Sequence, residues 1–263
     1  MKWFESWFDT AYYHALYAHR DDAEAISFID VLMGYLQLES GSKVVDVACG
    51  KGRHAAHLAS LGFHVLGIDL SQNSIAEANA QGAVNAQFFC HDMRDKFPFF
   101  GCHAVVNLFT SFGYFETKME DQLVLNNMSS VLINGGFVVQ DYLNTQSILS
   151  ELHTANQTIN RGILVPSLSD KTTLQVGKFA FETHKYPEGN FIVKDIRVHD
   201  KGVLHQFQER VRMYTKEELM RLHWGAGLEV LTVFGDYGLG KFDANSSPRI
   251  IIVSQKSGSL HKK

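Results

Sequence analysis

Cysteine is scarce in this chain: Cys49, Cys90 and Cys102 are the only three, and no pair has CxxC spacing. The odd count argues against a disulfide framework or a thiolate zinc site and favours a reducing compartment. Basic residues are not in excess either. Net charge is −4 and the isoelectric point is near 6.3, so no global positive field draws the chain to nucleic acid or anionic lipid. Long apolar runs are missing as well. The opening MKWFESWFDTAYYHALYAHRDD is aromatic, but Glu5 and Asp9 interrupt it, leaving neither a signal-peptide core nor a bilayer-spanning run. Internal repeats and low-complexity blocks are absent. The expectation is a soluble, cytoplasmic protein without a membrane or nucleic-acid partner. Its 263 residues, 45% of them hydrophobic, suffice for one large domain or for a domain carrying an insertion.

What is present is strand–helix alternation. After a helical N-terminal stretch, in which Ile26, Ile29, Leu32, Met33 and Leu36 recur at helical spacing, strands are expected at Lys43–Ala48, His64–Asp69, Ala86–Asp92, Ala104–Phe109 and Gly136–Tyr142. Helices at Gly52–Leu61, Ser71–Ala80 and Lys118–Leu132 separate them, and such alternation predicts an α/β fold with a parallel sheet covered on both faces. From 172 to 213 the pattern changes to alternating runs joined at PEGN and HDKG, an antiparallel meander. Thr215 with Glu218 three residues on marks a capping box before TKEELMRLHWGAG, and strands at Glu229–Phe234 and Arg249–Ser254 follow.

The stretch VVDVACGKGRHAAHLASLGFHVLGIDLS, residues 44–71, reads as strand, glycine loop, helix and strand. Its GKGRHA satisfies a loose dinucleotide fingerprint, with Asp69 placed to grip ribose hydroxyls. Asp46, four residues before Gly50, argues against a dinucleotide, because a carboxylate facing the loop repels a pyrophosphate. It suits a ligand with a cationic amino group and a sulfonium. Asp92 lies as far beyond Asp69 as Asp69 lies beyond Asp46, so three acids end neighbouring strands along the edge where open α/β sheets bind ligands. In order they suit an amino group, a ribose diol and an adenine amine.

VVDVACGKG resembles the first motif of class I S-adenosylmethionine-dependent methyltransferases, VLGIDLS their ribose-binding motif and FFCHDMRD their adenine-binding segment. The resemblance runs from about residue 40 to residue 256. It implies a Rossmann-like, seven-stranded, mostly parallel sheet whose last strand is antiparallel, with S-adenosylmethionine as cofactor. A β-rich insertion after the fifth strand resembles that of small-molecule N-methyltransferases. The expected organisation is an N-terminal helical lid at 1–37, a cofactor-binding core at 38–145, the insertion at 146–213, the C-terminal part of the core at 214–256 and a disordered tail at 257–263. By resemblance, Asp46, Ala48 and Gly50 line the methionine half, Asp69 takes the ribose with Leu70 against adenine, and Asp92 takes the adenine amine beside Met93. Cys49, in the same cofactor-binding loop, reads as a small apolar filler. Leu108 and Phe109 close the pocket near the methyl, Arg20 pairs with the methionine carboxylate, and Tyr13 covers the sulfonium. Lys51 stands where small residues are common in the family.

Tyr114, Asp141 and Tyr142 are the expected contacts to a small-molecule acceptor, with N favoured over O, and Asp236–Tyr237 is a lesser candidate. Asp141 suits a helix cap before NTQSILSEL equally well. No catalytic base is assigned. Tyr12, Tyr13, Trp3 and Trp7 read better as packing residues than as a substrate cage. Among the histidines, His54 and His57 have helical spacing but no third ligand, so no metal is expected. The fourth strand is followed neither by a Pro-Cys pair nor by an Asn/Asp-Pro-Pro-aromatic signature, against nucleic-acid methylation. The meander is either a substrate lid or a homodimer surface. The alternatives to a methyltransferase are an NAD-dependent oxidoreductase and a catalytically silent scaffold of the same fold.

Overall fold

In the strand β1, Lys43–Val47, every residue after the first is buried, and this strand sits inside the main sheet rather than at its edge. The computed structural model describes residues 2–17, 22–159 and 170–258. The chain alternates β1, α4 (Arg53–Ser60), β2 (His64–Asp69), α5 (Gln72–Ala80), β3 (Ala86–Cys90), β4 (Cys102–Asn107), α6 (Lys118–Ser130) and β5 (Leu132–Leu143). After an insertion come α8 (Lys216–Gly225), β10 (Leu228–Phe234) and β11 (Arg249–Lys256). The seven strands run β10-β11-β5-β4-β1-β2-β3; β11 is antiparallel to both of its neighbours and the rest are parallel, so the number of strands and the antiparallel last strand are as the sequence and its resemblance imply.

Alternation along the strands sorts side chains to two cores. Val44, Val65, Ala104, Val106, Val139, Ile251 and Val253 face helices α3 (Asp22–Leu36), α4 and α5. Val45, Val47, Val105, Val138, Ile250 and Ile252 face α6 and α8. In α3 the buried stripe is Phe28, Ile29, Leu32, Met33 and Leu36, whereas Ile26, expected on that stripe, is 40% exposed. The N-terminal stretch is therefore not one lid. α3 belongs to a sheet face, while α1 (Trp3–Trp7) and α2 (Ala11–Leu16) pack elsewhere.

The insertion opens with α7 (Thr145–Ile159) and continues as four antiparallel strands in sequence order: β6 (Asp170–Val176), β7 (Phe179–Glu188), β8 (Phe191–Asp200) and β9 (Val203–Arg212). PEGN and HDKG are its second and third turns; a further turn at Gly177-Lys178 adds a strand to the expected meander. One face of this sheet, carrying Phe181, Ile196 and Val198, packs on Trp7 and Leu16. The capping box of Thr215 and Glu218 starts α8 as expected. The tail expectation for 257–263 lies, beyond residue 258, outside the described residues. Among the described residues no helix is long and apolar enough to cross a membrane.

Gly67 shows how tightly the glycine loop is packed from below. A Cβ on it would lie 2.5 Å from the Phe88 ring and 2.9 Å from Cys49 Sγ. Gly67→Ala is expected to destabilise the protein by about 1–3 kcal/mol through overpacking and to push the loop at Cys49 towards the cavity. Thermal unfolding checks it, and an unchanged midpoint would show that Phe88 moves aside freely.

Candidate functional site

The chain runs outward from β1 to β2 and β3 and then returns to β4 on the other side of β1. That reversal opens a crevice at the carboxyl ends of β1 and β4. A cavity of about 1010 Å³ occupies it. Its lower wall comes from the main sheet and the glycine loop. Its upper wall comes from α1, α2 and the insertion sheet, including Trp3, Phe8, Tyr13, Tyr17, Ile192 and Val211.

The loop after β1 turns through left-handed backbone at Ala48, Gly50 and Gly52. A Cβ on Gly50 would meet no protein atom within 4 Å, so the loop backbone there faces open cavity. Asp46 is buried at the base, and its Oδ2 has no hydrogen-bond partner. Burial, reinforced by the neighbouring Asp69 carboxylate, pushes its pKa up to about 7. Asp69 accepts from Gly50 N on Oδ2 (2.8 Å) and from Ser71 N on Oδ1 (2.8 Å), so it ties the glycine loop to the end of β2. Burial raises its pKa although those two N–H groups oppose the shift.

β3 ends at Cys90 instead of Asp92, because an Asp92 oxygen takes the Arg94 backbone N–H (2.9 Å) and turns the chain. The Arg94 side chain also holds both Asp92 oxygens, with Nε 3.0 Å from Oδ1 and Nη2 2.5 Å from Oδ2. Burial disfavours the Asp92 charge, but the Arg94 bonds outweigh it and keep the carboxyl below its ordinary range. Asp92 lines the cavity already paired, unlike Asp46.

β4 ends two residues earlier than its hydrophobic run, since Phe109 and Thr110 both adopt positive φ (56° and 63°). Two adjacent non-glycine residues in that region are strained and need outside support. Asp141 supplies it: Oδ2 accepts from Phe109 N (2.7 Å), and its backbone oxygen accepts from Thr110 N (3.1 Å). Arg249 donates to Asp141 Oδ1 (2.7 Å) and Thr110 Oγ1 (2.7 Å), and the Tyr237 hydroxyl donates to Asp141 Oδ2 (3.1 Å). The Phe109 ring then stacks on His54, centroids 5.0 Å apart. Burial first, then the Arg53 and His57 charges, lower the His54 pKa to about 3, so its imidazole packs neutral.

Tyr13, Asp46, Ala48, Cys49, Gly50, Asp69, Leu70, Asp92, Met93, Leu108, Phe109 and Tyr114 all line the one cavity. Arg20 lies outside the described residues. Asp141 and Tyr142 do not reach the cavity, which corrects the expectation that they contact substrate. Both are fully buried. Asp141 braces the Phe109–Thr110 turn, and the Tyr142 hydroxyl donates to the Arg212 carbonyl (2.5 Å). The helix cap before α7 is made by Asn144, whose Oδ1 accepts from Gln146 N (3.2 Å), and not by Asp141. Tyr237 acts through Asp141. Trp7 and Tyr12 pack against the insertion, whereas Trp3 and Tyr13 also line the cavity. No group of three His, Cys, Asp or Glu side chains among the described residues is placed to hold a metal.

Three features were missed from the sequence. Asp9, between α1 and α2, accepts from Ser71 Oγ (2.5 Å) and Asn73 Nδ2 (2.7 Å), tethering the N-terminal helices over the β2–α5 loop. Arg249 braces a residue 108 positions away, beyond the reach of any local pattern. Lys185, Lys194 and Glu209 enter the cavity from the insertion sheet. The only sequence signal for them is Lys194 standing in phase with Ile192, Ile196 and Val198.

Residues 44–136, which supply every acid of the lower wall, match a family model described as a methyltransferase domain. Among known proteins, the chain is 25% identical over 190 residues to a dTDP-3-amino-3,6-dideoxy-α-D-glucopyranose N,N-dimethyltransferase of Streptomyces fradiae, covering 72% of this chain and 71% of that protein. It is 31% identical over 122 residues to a dTDP-3-amino-3,4,6-trideoxy-α-D-glucopyranose N,N-dimethyltransferase of Streptomyces venezuelae, covering 44% of this chain and about half, 48%, of that one. Its fold superposes on the crystal structure of an S-adenosylmethionine-dependent methyltransferase from Clostridium acetobutylicum with a TM-score of 0.75 at 18% identity, over 94% of this chain and 96% of that one. The matched stretch thus contains the glycine loop, all three acids and the Phe109–Thr110 turn, while the braces Asp141, Tyr237 and Arg249 lie beyond it.

Proposed function

We propose that this chain transfers a methyl group from S-adenosylmethionine to an amine of a small-molecule acceptor. The observation that carries the reading is the buried, unpartnered Asp46 oxygen at the floor of a cavity that also holds Asp69. An unpaired carboxylate oxygen in such a place calls for a cationic partner. A pyrophosphate would add negative charge there, which counts against the NAD-linked alternative. The amine acceptor is supported by the two N,N-dimethyltransferase relatives.

Bound S-adenosylmethionine supplies a methyl group already activated on a sulfonium. The protein's task is alignment, and proximity and orientation then carry most of the rate. In this reading Asp46 and the loop from Ala48 to Gly50 take the amino-acid end, Asp69 takes the ribose hydroxyls and Leu70 covers the adenine. The Asp92–Arg94 pair borders the base beside Met93. Leu108, Phe109 and Tyr114 close around the reacting methyl, with Tyr13 above it. The insertion presents one face to α1, α2 and the cavity, which supports a substrate-side role over a dimer surface. Three free thiols fit a reducing, cytoplasmic setting.

Calorimetric titration with S-adenosylhomocysteine, with NADH as the contrast, tests the cofactor. Binding of the first alone supports the reading, and binding of NADH instead makes the protein an oxidoreductase. Binding of neither favours a silent scaffold. Amine and phenol panels followed by mass spectrometry then read the acceptor.

A pH dependence follows from Asp46. A ligand ammonium favours its ionised form, whereas the free site holds its proton up to about pH 7. Below that pH a proton must leave before the pair forms. S-adenosylhomocysteine affinity is therefore expected to fall by up to about tenfold per pH unit below about pH 7 and to level off just above it, where Asp46 is ionised and the ligand still carries its ammonium. Asp46→Asn should bind more weakly and without that slope. A level wild-type profile from about pH 5.5 to 8 would remove Asp46 from the amino-group site.

A further inference from the structure

The insertion sheet carries a charged row inside an apolar face. Lys185 of β7, Lys194 of β8 and Glu209 of β9 are direct cross-strand partners and share one face. On one side of them lies the row Thr183, Ile196 and Phe207; on the other lies Pro187, Ile192 and Val211. This face packs on Trp7 and Leu16 and continues into the cavity, which all three charged residues line. Like charges placed directly opposite each other repel, and charge set among apolar neighbours is poorly solvated. Glu209 opposite it and the Tyr17 hydroxyl account for Lys194, whereas Lys185 has a like charge directly opposite on β8.

The acids of the row do not neutralise Lys185. Glu209 is committed to Trp7 Nε1 (2.6 Å) and to the Tyr17 hydroxyl (2.8 Å), and Lys194 Nζ donates to that same hydroxyl (3.0 Å). Asp170 lies opposite Lys185 on β6, but among the described residues Lys185 makes no ion pair. Besides the half-buried Lys185, which lacks an ion pair, a buried donor in the same cavity is unsatisfied: Trp3 Nε1 has no acceptor. The lower wall of the cavity offers carboxylates, and the upper wall offers donors in want of an acceptor.

We propose that Lys185, flanked by Lys194, forms an anion subsite that holds a phosphate or carboxylate group of the methyl acceptor. Resting on the methyltransferase reading, this makes the acceptor an amine that also carries an anionic group. The amine end lies towards the cofactor and the anionic end against the insertion. Lys194 is fixed by Tyr17, and Lys185 is the arm that reaches the ligand.

The test is calorimetric titration of the full chain, saturated with S-adenosylhomocysteine, with inorganic pyrophosphate and separately with acetate. Wild type and Lys178→Gln, an exposed lysine outside the cavity, are expected to bind at least one of these anions alike. Lys185→Gln is expected to bind it at least about tenfold more weakly, with S-adenosylhomocysteine affinity unchanged. Preference for pyrophosphate identifies a phosphate-bearing acceptor, and preference for acetate a carboxylate-bearing one. Failure of wild type to bind either anion, or equal binding by Lys185→Gln, overturns the subsite. Loss of S-adenosylhomocysteine binding in wild type would instead overturn the methyltransferase reading, so the two failures are distinct.

Discussion

Asp69→Ala is expected to weaken S-adenosylhomocysteine binding by about 100-fold or more. The side chain accepts two backbone N–H groups, from Gly50 and Ser71, at 2.8 Å each. In the proposed complex it also accepts the ribose hydroxyls. Hydrogen bonds to a charged group contribute about 1.5–3 kcal/mol each, and alanine removes the ribose acceptors together with the anchor of the glycine loop. Asp69→Asn keeps the shape and one acceptor oxygen, so its loss should be smaller, about tenfold. Titration of both variants checks this, with circular dichroism to show that they are folded. A folded Asp69→Ala that binds as tightly as wild type would displace Asp69 from the ribose and leave it a loop anchor only.

Asp141→Ala is expected to give the largest loss of stability among single changes near the site. Its carboxylate is fully buried and the Arg249 side chain 16% exposed, so removing it takes the counter-charge from Arg249, which keeps its bond to Thr110 Oγ1. Breaking such a pair costs about 3–5 kcal/mol. At about 2–4 °C per kcal/mol for a chain of this size, the melting midpoint should fall by on the order of 10 °C. The Phe109 N–H loses its acceptor at the same time, so the left-handed turn relaxes and the cavity wall at Leu108–Ser111 loosens. Arg249→Met in the Asp141→Ala background should recover part of the stability, because the guanidinium that lost its counter-charge is gone. It should not restore cofactor affinity, because the turn stays unbraced. A midpoint within about 2 °C of wild type for Asp141→Ala would show that the turn holds itself.

The contrast between these two acids shows where local pattern stops being informative. Both stand at or near the end of a parallel strand, and the sequence suggests a ligand contact for each. Asp69 reaches the cavity because β2 ends at its residue and the chain turns away. Asp141 lies where β5 pairs with β11, its register partner being Ile251, and there the strand continues. Its side chain is enclosed by Arg249 and Tyr237, which the chain reaches only about a hundred residues later. Tyr142, the next residue along, is directed into the opposite core, against Phe112 and Tyr214.

By itself the sequence determined the glycine loop, the three acids of the lower wall and, with its resemblance, a mostly parallel sheet of seven strands with the last antiparallel. Those depend on periodicity and on residues close together along the chain. The physics behind them is local: buried strands need apolar residues at period two, and a tight loop needs residues that accept left-handed backbone. Only the tertiary structure decided which acid stays unpaired, what braces the Phe109–Thr110 turn and which face of the insertion meets the cavity. Each of those depends on what the folded chain brings together, as Arg94 satisfies both Asp92 oxygens while one Asp46 oxygen is left without a partner. The free energy of a charge is set by what surrounds it, and a one-dimensional pattern does not contain the surroundings.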